Sequence, residues 1–167
     1  MKKILTLVIA FLLTVTIVHA QQGWVSHKAD SRITVKFPLE PKEIIPGTFV
    51  SKGSDSTTYV FTVVDFVAVA KIDSTALAPI KETPEFADQL KSGMSQSLPD
   101  VQLQDFEIGK WKGFTSYTTS GVDSKKRNYD IFMFIIGNKL YSLSTIVNSN
   151  GDGKGTGEFF KSIVLSN

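Results

Sequence analysis

The chain has 167 residues, 42% of them hydrophobic and 20% charged, with eighteen basic and sixteen acidic side chains and no cysteine. The lack of cysteine excludes thiol catalysis, thiolate metal sites, disulfide exchange and lipid attachment at a cysteine. The nearly balanced charge argues against the basic face with which a nucleic-acid binder meets phosphate, so no nucleic-acid partner is expected.

Residues 1–20 read as a cleavable export signal. Lys2 and Lys3 open it, Ile4 to Val18 form its apolar segment, and Val18-His19-Ala20 is a small-x-small cleavage site. An apolar run of about fifteen residues, interrupted by Thr6, Thr14 and Thr16, falls short of the roughly 20 that a permanent span needs. No permanent membrane anchor is therefore expected, and the protein is expected to be exported, periplasmic or secreted. Loss of the signal leaves 147 residues from Gln21, with sixteen basic side chains facing sixteen acidic ones. The remainder, 21–167, is one domain by size and long enough to bury about 70% of the surface of the unfolded chain.

Two short strands are expected at Trp24–Lys28 and Arg32–Phe37, joined by Ala29-Asp30-Ser31. Phe37-Pro38 ends the second. Pro41 and Pro46 bracket a stiff connection that carries Ile44 and Ile45. Phe49-Val50 resumes as a strand and runs into a polar loop at 51–56. From Thr57 to Ala70 the chain is nearly unbroken β-branched and aromatic sequence, read as one covered strand or as two broken near Asp65. Thr83-Pro84-Glu85 then starts a helix: threonine caps, proline takes the first helical position, and the acid faces the positive end of the dipole. Phe86, Leu90, Met94 and Leu98 recur every four residues as its apolar stripe, and Pro99 stops it. Strands are expected at 101–108, 113–119, 127–136 and 139–147, the last two joined by Gly137-Asn138, a tight hairpin turn. Residues 129–136 are apolar on both alternate sets, so the strand they form is covered on both faces. A glycine-rich loop, 148–157, leads to a short helix at 158–162.

Three segments carry a family resemblance: Val35-Lys36-Phe37-Pro38, Lys139-Leu140-Tyr141-Ser142-Leu143 and Phe159-Phe160-Lys161-Ser162-Ile163. With the order of elements, they resemble the fold shared by the PsbP extrinsic photosystem subunit and the Mog-one Ran-binding protein. The resemblance implies an α+β domain, an antiparallel sheet of about six strands sandwiched by helices. Its motifs are packing signatures, so it implies architecture and no functional residue.

Chemistry is sparse. His27 stands alone in the mature chain, and Ser95 lies inside the predicted helix without the second glycine of a nucleophile elbow. Asp105 and Glu107, two apart, read as a solvated strand face. Asn148, Asn150 and Asp152 take the first, third and fifth places of a calcium-like loop, with Gly153 at the sixth. Its closing position is Phe159 rather than glutamate, and Lys154 adds positive charge, so a metal is disfavoured. Lys110-Trp111-Lys112 and Lys125-Lys126-Arg127 remain as a partner-binding candidate, cations at neighbouring strand ends around an indole. The same residues also serve as lysine-rich turns that keep sheet edges soluble. No cofactor and no catalytic constellation is implied. The expectation is a non-enzymatic exported domain that binds a protein partner or envelope component. The alternative is a carrier or accessory for a small apolar ligand held between sheet and helix.

Intact-mass measurement of protein recovered from its host is expected to show a chain starting at Gln21, free or cyclised to pyroglutamate; a chain retaining Met1–Ala20 would overturn the export reading.

Overall fold

The structure, a computed structural model, describes residues 23–166; the predicted export signal and the cleavage point before Gln21 lie outside the described residues. In chain order the strands are β1 (Val25–Lys28), β2 (Ile33–Phe37), β3 (Lys42–Ile45), β4 (Thr48–Lys52), β5 (Thr58–Asp65), β6 (Val101–Leu103), β7 (Glu107–Trp111), β8 (Phe114–Asp123), β9 (Asn128–Ile136), β10 (Lys139–Val147) and β11 (Val164–Leu165). The helices are α1 (Phe66–Ala70), α2 (Ser74–Leu77), α3 (Pro84–Ser97) and α4 (Gly155–Lys161). Eight strands form one antiparallel sheet in the order β3-β4-β5-β10-β9-β8-β6, with β7 also pairing β8, and β1-β2-β11 form a second, three-stranded sheet.

The α+β antiparallel architecture agrees with the expectation, but one detail needs correction. The main sheet has eight strands rather than about six. On one of its faces α2 and α3 supply Leu77, Phe86 and Ala87 to a core with Tyr117, Ile131, Met133 and Leu140. The other face is covered by the small sheet together with α4, where Ile33, Val35, Phe37, Phe159 and Ile163 meet Phe61, Phe134, Tyr141 and Leu143.

The extra strands have local causes. β3 is the stretch between Pro41 and Pro46; as an edge strand it tolerates flanking prolines, and all four of its residues are exposed. The segment 101–108 is two strands, because β6 pairs with Gly121–Asp123 and β7 with Phe114–Thr118 of the same partner. Asp105 lies in the break and pairs with Lys91 at 2.6 Å. The long run 57–70 is a strand followed by a helix. Asp65 accepts from Val67 N at 2.9 Å and Ala68 N at 3.4 Å, and this side-chain cap turns the apolar residues after it into α1.

Two hairpin turns of the main sheet follow from backbone sterics. Gly137 takes φ +62° between Ile136 and Lys139, and Lys112-Gly113 both take positive φ between Trp111 and Phe114. α3 begins and ends where its sequence says, with Thr83 Oγ1 accepting from Phe86 N and Pro84 in the first turn.

Asp30 fastens the small sheet to the large one. Its Oδ1 accepts from Arg32 N and Ile33 N at 2.8 and 3.0 Å, closing the β1–β2 turn. Its Oδ2 accepts from Tyr141 OH at 2.8 Å and Lys139 Nζ at 3.1 Å, both on β10. Burial alone would raise the pKa of this carboxyl, but the hydrogen bonds from Arg32 N, Tyr141, Lys139 and Ile33 N outweigh it and hold the group below the usual aspartate value. A depressed folded-state pKa contributes stability that is present above the unfolded value of about 3.9 and is lost as pH falls through the folded one. Denaturant melts between neutral pH and about pH 3 are expected to show a shallower acid limb for Asp30→Asn than for the wild type, with a loss of about 1–3 kcal/mol at neutral pH; parallel curves would remove Asp30 from this role.

Candidate functional site: an apolar groove between helix and sheet

Strand alternation decides what faces α3. On β10, Tyr141, Leu143, Thr145 and Val147 point to the small-sheet side and are buried, whereas Ser142, Ser144 and Ile146 point to the helix side and are only half-buried. The neighbouring strands add Val60, Thr62 and Val64 from β5, and Tyr129, Ile131 and Met133 from β9, to the same face. Two serines in the middle of the central strand leave a depression where larger side chains would reach the helix.

α3 closes this depression at one end only. Phe86 is 6% exposed and packs against Phe66 and Tyr117, with ring centroids 6.0 and 6.2 Å away. One and two turns on, Leu90 and Met94 pack against the same core but are only half-buried, and both line a space beside it. Gly93 lines it too, and a Cβ added there would meet no heavy atom within 4 Å. The result is a groove of about 520 Å³ bounded by α3, Phe66 and the three central strands. Its size lies in the range of about 300–1,000 Å³ typical of small-molecule sites. No side chain lining it is charged, and its few polar groups are hydroxyls and the Gln89 amide.

The residues singled out from sequence lie elsewhere. Lys110-Trp111-Lys112 precede β8 and Lys125-Lys126-Arg127 follow it, so the ten residues of that strand put the two groups at its opposite ends, about 30 Å apart. They do not form one surface. Trp111 turns inward onto Phe134, with centroids 4.5 Å apart, while Lys112 Nζ lies 4.9 Å over its ring. Lys110 pairs with Glu82, which also accepts from Thr115 Oγ1 at 3.0 Å. At the other end Arg127 Nε donates to Asp123 at 2.6 Å, and Lys125 N and Arg127 N donate to the same carboxylate. Burial would raise the Asp123 pKa, but these bonds, led by those from Arg127, hold it below its ordinary value.

The calcium-like loop is engaged internally. Asp152 pairs with Lys154 at 2.8 Å, and Asn148 Nδ2 donates to Ser56 O at 3.0 Å. Asn150 is exposed beside them. Among the described residues no group of three or more His, Cys, Asp and Glu side chains is placed to hold a metal ion. His27 packs its ring 4.4 Å from Phe49 and 6.0 Å from Phe37, and its buried Nε2 meets no hydrogen-bond partner among the described residues.

The groove was not singled out residue by residue from sequence. The available signal was the pairing of Ser142 and Ser144 on one face of a central strand with Gly93 beside the apolar stripe of the longest helix among the described residues.

By sequence the chain matches no established family profile and no curated protein. In structure it is similar to cyanobacterial PsbP (CyanoP) from Synechocystis, determined in solution, with a TM-score of 0.53 and 12% identity over 89% of this chain and 95% of that one. The fold is thus PsbP-like. A crystal structure from Bacteroides thetaiotaomicron also aligns, with a TM-score of 0.48 and 13% identity over 88% of this chain; the chain spans half the length of that protein. No helix among the described residues is long and apolar enough to cross a membrane.

Because α3 buries Phe86 and leaves Leu90 half-buried, the two positions differ in energy. Phe86→Ala is expected to cost about 3–5 kcal/mol and Leu90→Ala under about 2 kcal/mol, measured by denaturant unfolding. Equal losses would mean that the helix is closed on the sheet along its whole length.

Proposed function

We propose that the protein is an exported, non-enzymatic binding domain that carries a small apolar ligand in the groove between α3 and the sheet. The observation that carries this reading is a cavity of about 520 Å³ lined without a single charged side chain. An empty apolar space of this size exposes hydrocarbon to water, and a ligand that fills it gains the free energy of removing that surface, about 25 cal/mol per Å². The notion of a protein partner docking across both lysine clusters loses support, because β8 separates them and Lys110, Trp111 and Arg127 already have partners within the domain. Export is supported by the composition of residues 1–20. The non-enzymatic reading is supported by the internal partners of three acids: Asp65 caps α1, Asp123 holds Arg127 and Asp105 holds Lys91.

Titration with N-phenyl-1-naphthylamine, a neutral apolar fluorophore, is expected to give saturable enhancement with the wild type. Ser144→Phe, which projects a ring from the groove floor, is expected to abolish it. Gly93→Ala is expected to retain binding and to stabilise the helix by up to about 1 kcal/mol. Absence of saturable enhancement, together with native mass spectra of host-purified protein that show no added mass, would overturn the proposal.

A further inference from the structure

The groove is uncharged along its length, but a cation stands at one end. Tyr129 lines the groove beside its strand partner Ile146, and the Arg127 guanidinium lies 5.8 Å from the centroid of the Tyr129 ring. Arg127 gives Nε to Asp123, and Tyr129 OH donates to the same carboxylate at 3.3 Å. The arginine side chain is still 37% exposed, and the bond to Asp123 is made through Nε. On its far side Arg127 lines a second, polar cavity of about 590 Å³ with Lys125, Asn148 and Asn150. Asp55 is the acid of that cavity, and both its oxygens are occupied by Thr57, at 3.0 Å from N and 2.6 Å from Oγ1. The opposite end of the groove is hydrocarbon: Phe66, Met133 and Leu140. The C-terminal turn of α3 lies along the groove at Ser97 and Leu98, and its carbonyl dipole opposes an anion with about half a charge. Arg127 and Lys125 bring two cations to this end, beside the carboxylates of Asp123 and Asp55, both of which are engaged within the domain.

Resting on the groove as the binding site, we infer that its ligand is a single-chain amphiphile with one anionic head, a carboxylate or a phosphate monoester, lying with its tail toward Phe66 and its head at Arg127. The tail is selected by the uncharged lining, and the head by a guanidinium whose Nη groups can donate in parallel to two oxygens. Arg127 thus lines the polar cavity and stands over the Tyr129 ring that lines the groove, and its pair with Asp123 fixes it there.

Binding of myristate, myristoyl-glycerol phosphate and tetradecanol to the mature protein separates the parts of this inference. The wild type is expected to bind at least one of the two anions about tenfold or more tighter than the alcohol, and the tighter anion identifies the head. Arg127→Lys, which keeps a cation for Asp123 but loses the fork, is expected to bring anion and alcohol to within about twofold. Stearate spin-labelled near its carboxylate is expected to broaden the Tyr129 and Ile146 resonances of the wild type, and stearate labelled near its methyl end those of Met133 and Leu140. This arm is independent of how Arg127→Lys folds. Equal binding of alcohol and anions, or the reversed broadening pattern, overturns the head assignment while the groove stands. Failure of all three probes to bind, or binding that is unchanged in Ser144→Phe, overturns the groove and the head assignment together.

Discussion

Strand β10 is hydrogen-bonded to β5 on one side and to β9 on the other along nearly all of its nine residues, so its register cannot slip without breaking two ladders. A strand held in this way transmits its period of two directly into the architecture. One set of side chains, Tyr141 and Leu143, is fully buried, with Tyr141 stacked on Phe134 at 5.2 Å and 14° between planes. The other set contains two serines, and the space above them is the groove. A rigid core on one face and a cavity on the other therefore come from the same nine residues.

The groove's ends are fixed by different means. At one end the cap on α1 and the docking of Phe86 on Phe66 and Tyr117 anchor the helical layer. At the other, Asp123 gathers two backbone amides, the Arg127 guanidinium and the Tyr129 hydroxyl around one carboxylate that is 1% exposed. Such a network keeps Arg127 and Tyr129 in place, which a site reading both shape and charge requires. Between these anchors α3 is supported by half-buried Leu90 and Met94, the least constrained part of the layer.

The sequence made the sheet legible where alternation was strong and turns were specific: β2, β9, β10, the Gly137-Asn138 hairpin and the capped start of α3 all stand where periodicity and capping put them. It misled where a short element ran against its composition. Phe66–Ala70 carries strand-favouring valines yet is helical, because the Asp65 carboxylate satisfies two backbone amides there and a local cap outweighs β propensity. Lys42–Ile45 was hidden by its prolines, and β6 and β7 by the lack of a turn signature at Gln104-Asp105-Phe106. The two lysine clusters were expected at neighbouring strand ends, but they sit at opposite ends of β8, whose full length separates them in space. The groove depends on how far a helix stands from a sheet, which no periodicity encodes.

The residues that shape the groove are ones that a sequence optimised for stability alone would replace. Gly93 lies in the interior of a fourteen-residue helix, where glycine costs about 1 kcal/mol relative to alanine and where the added methyl would meet nothing. Ser142 and Ser144 sit at the centre of an eight-stranded sheet, Ser142 between Thr62 and Met133 and Ser144 between Val60 and Ile131, positions at which valine or isoleucine would bury more apolar surface. Small residues at scattered sites would reflect drift. These three face one another across a single space, and the opposite face of the same strands is packed with aromatic rings. Departures from local stability that converge on one cavity are the pattern of a site kept open, because each of them costs stability where it stands and together they decide whether the space exists.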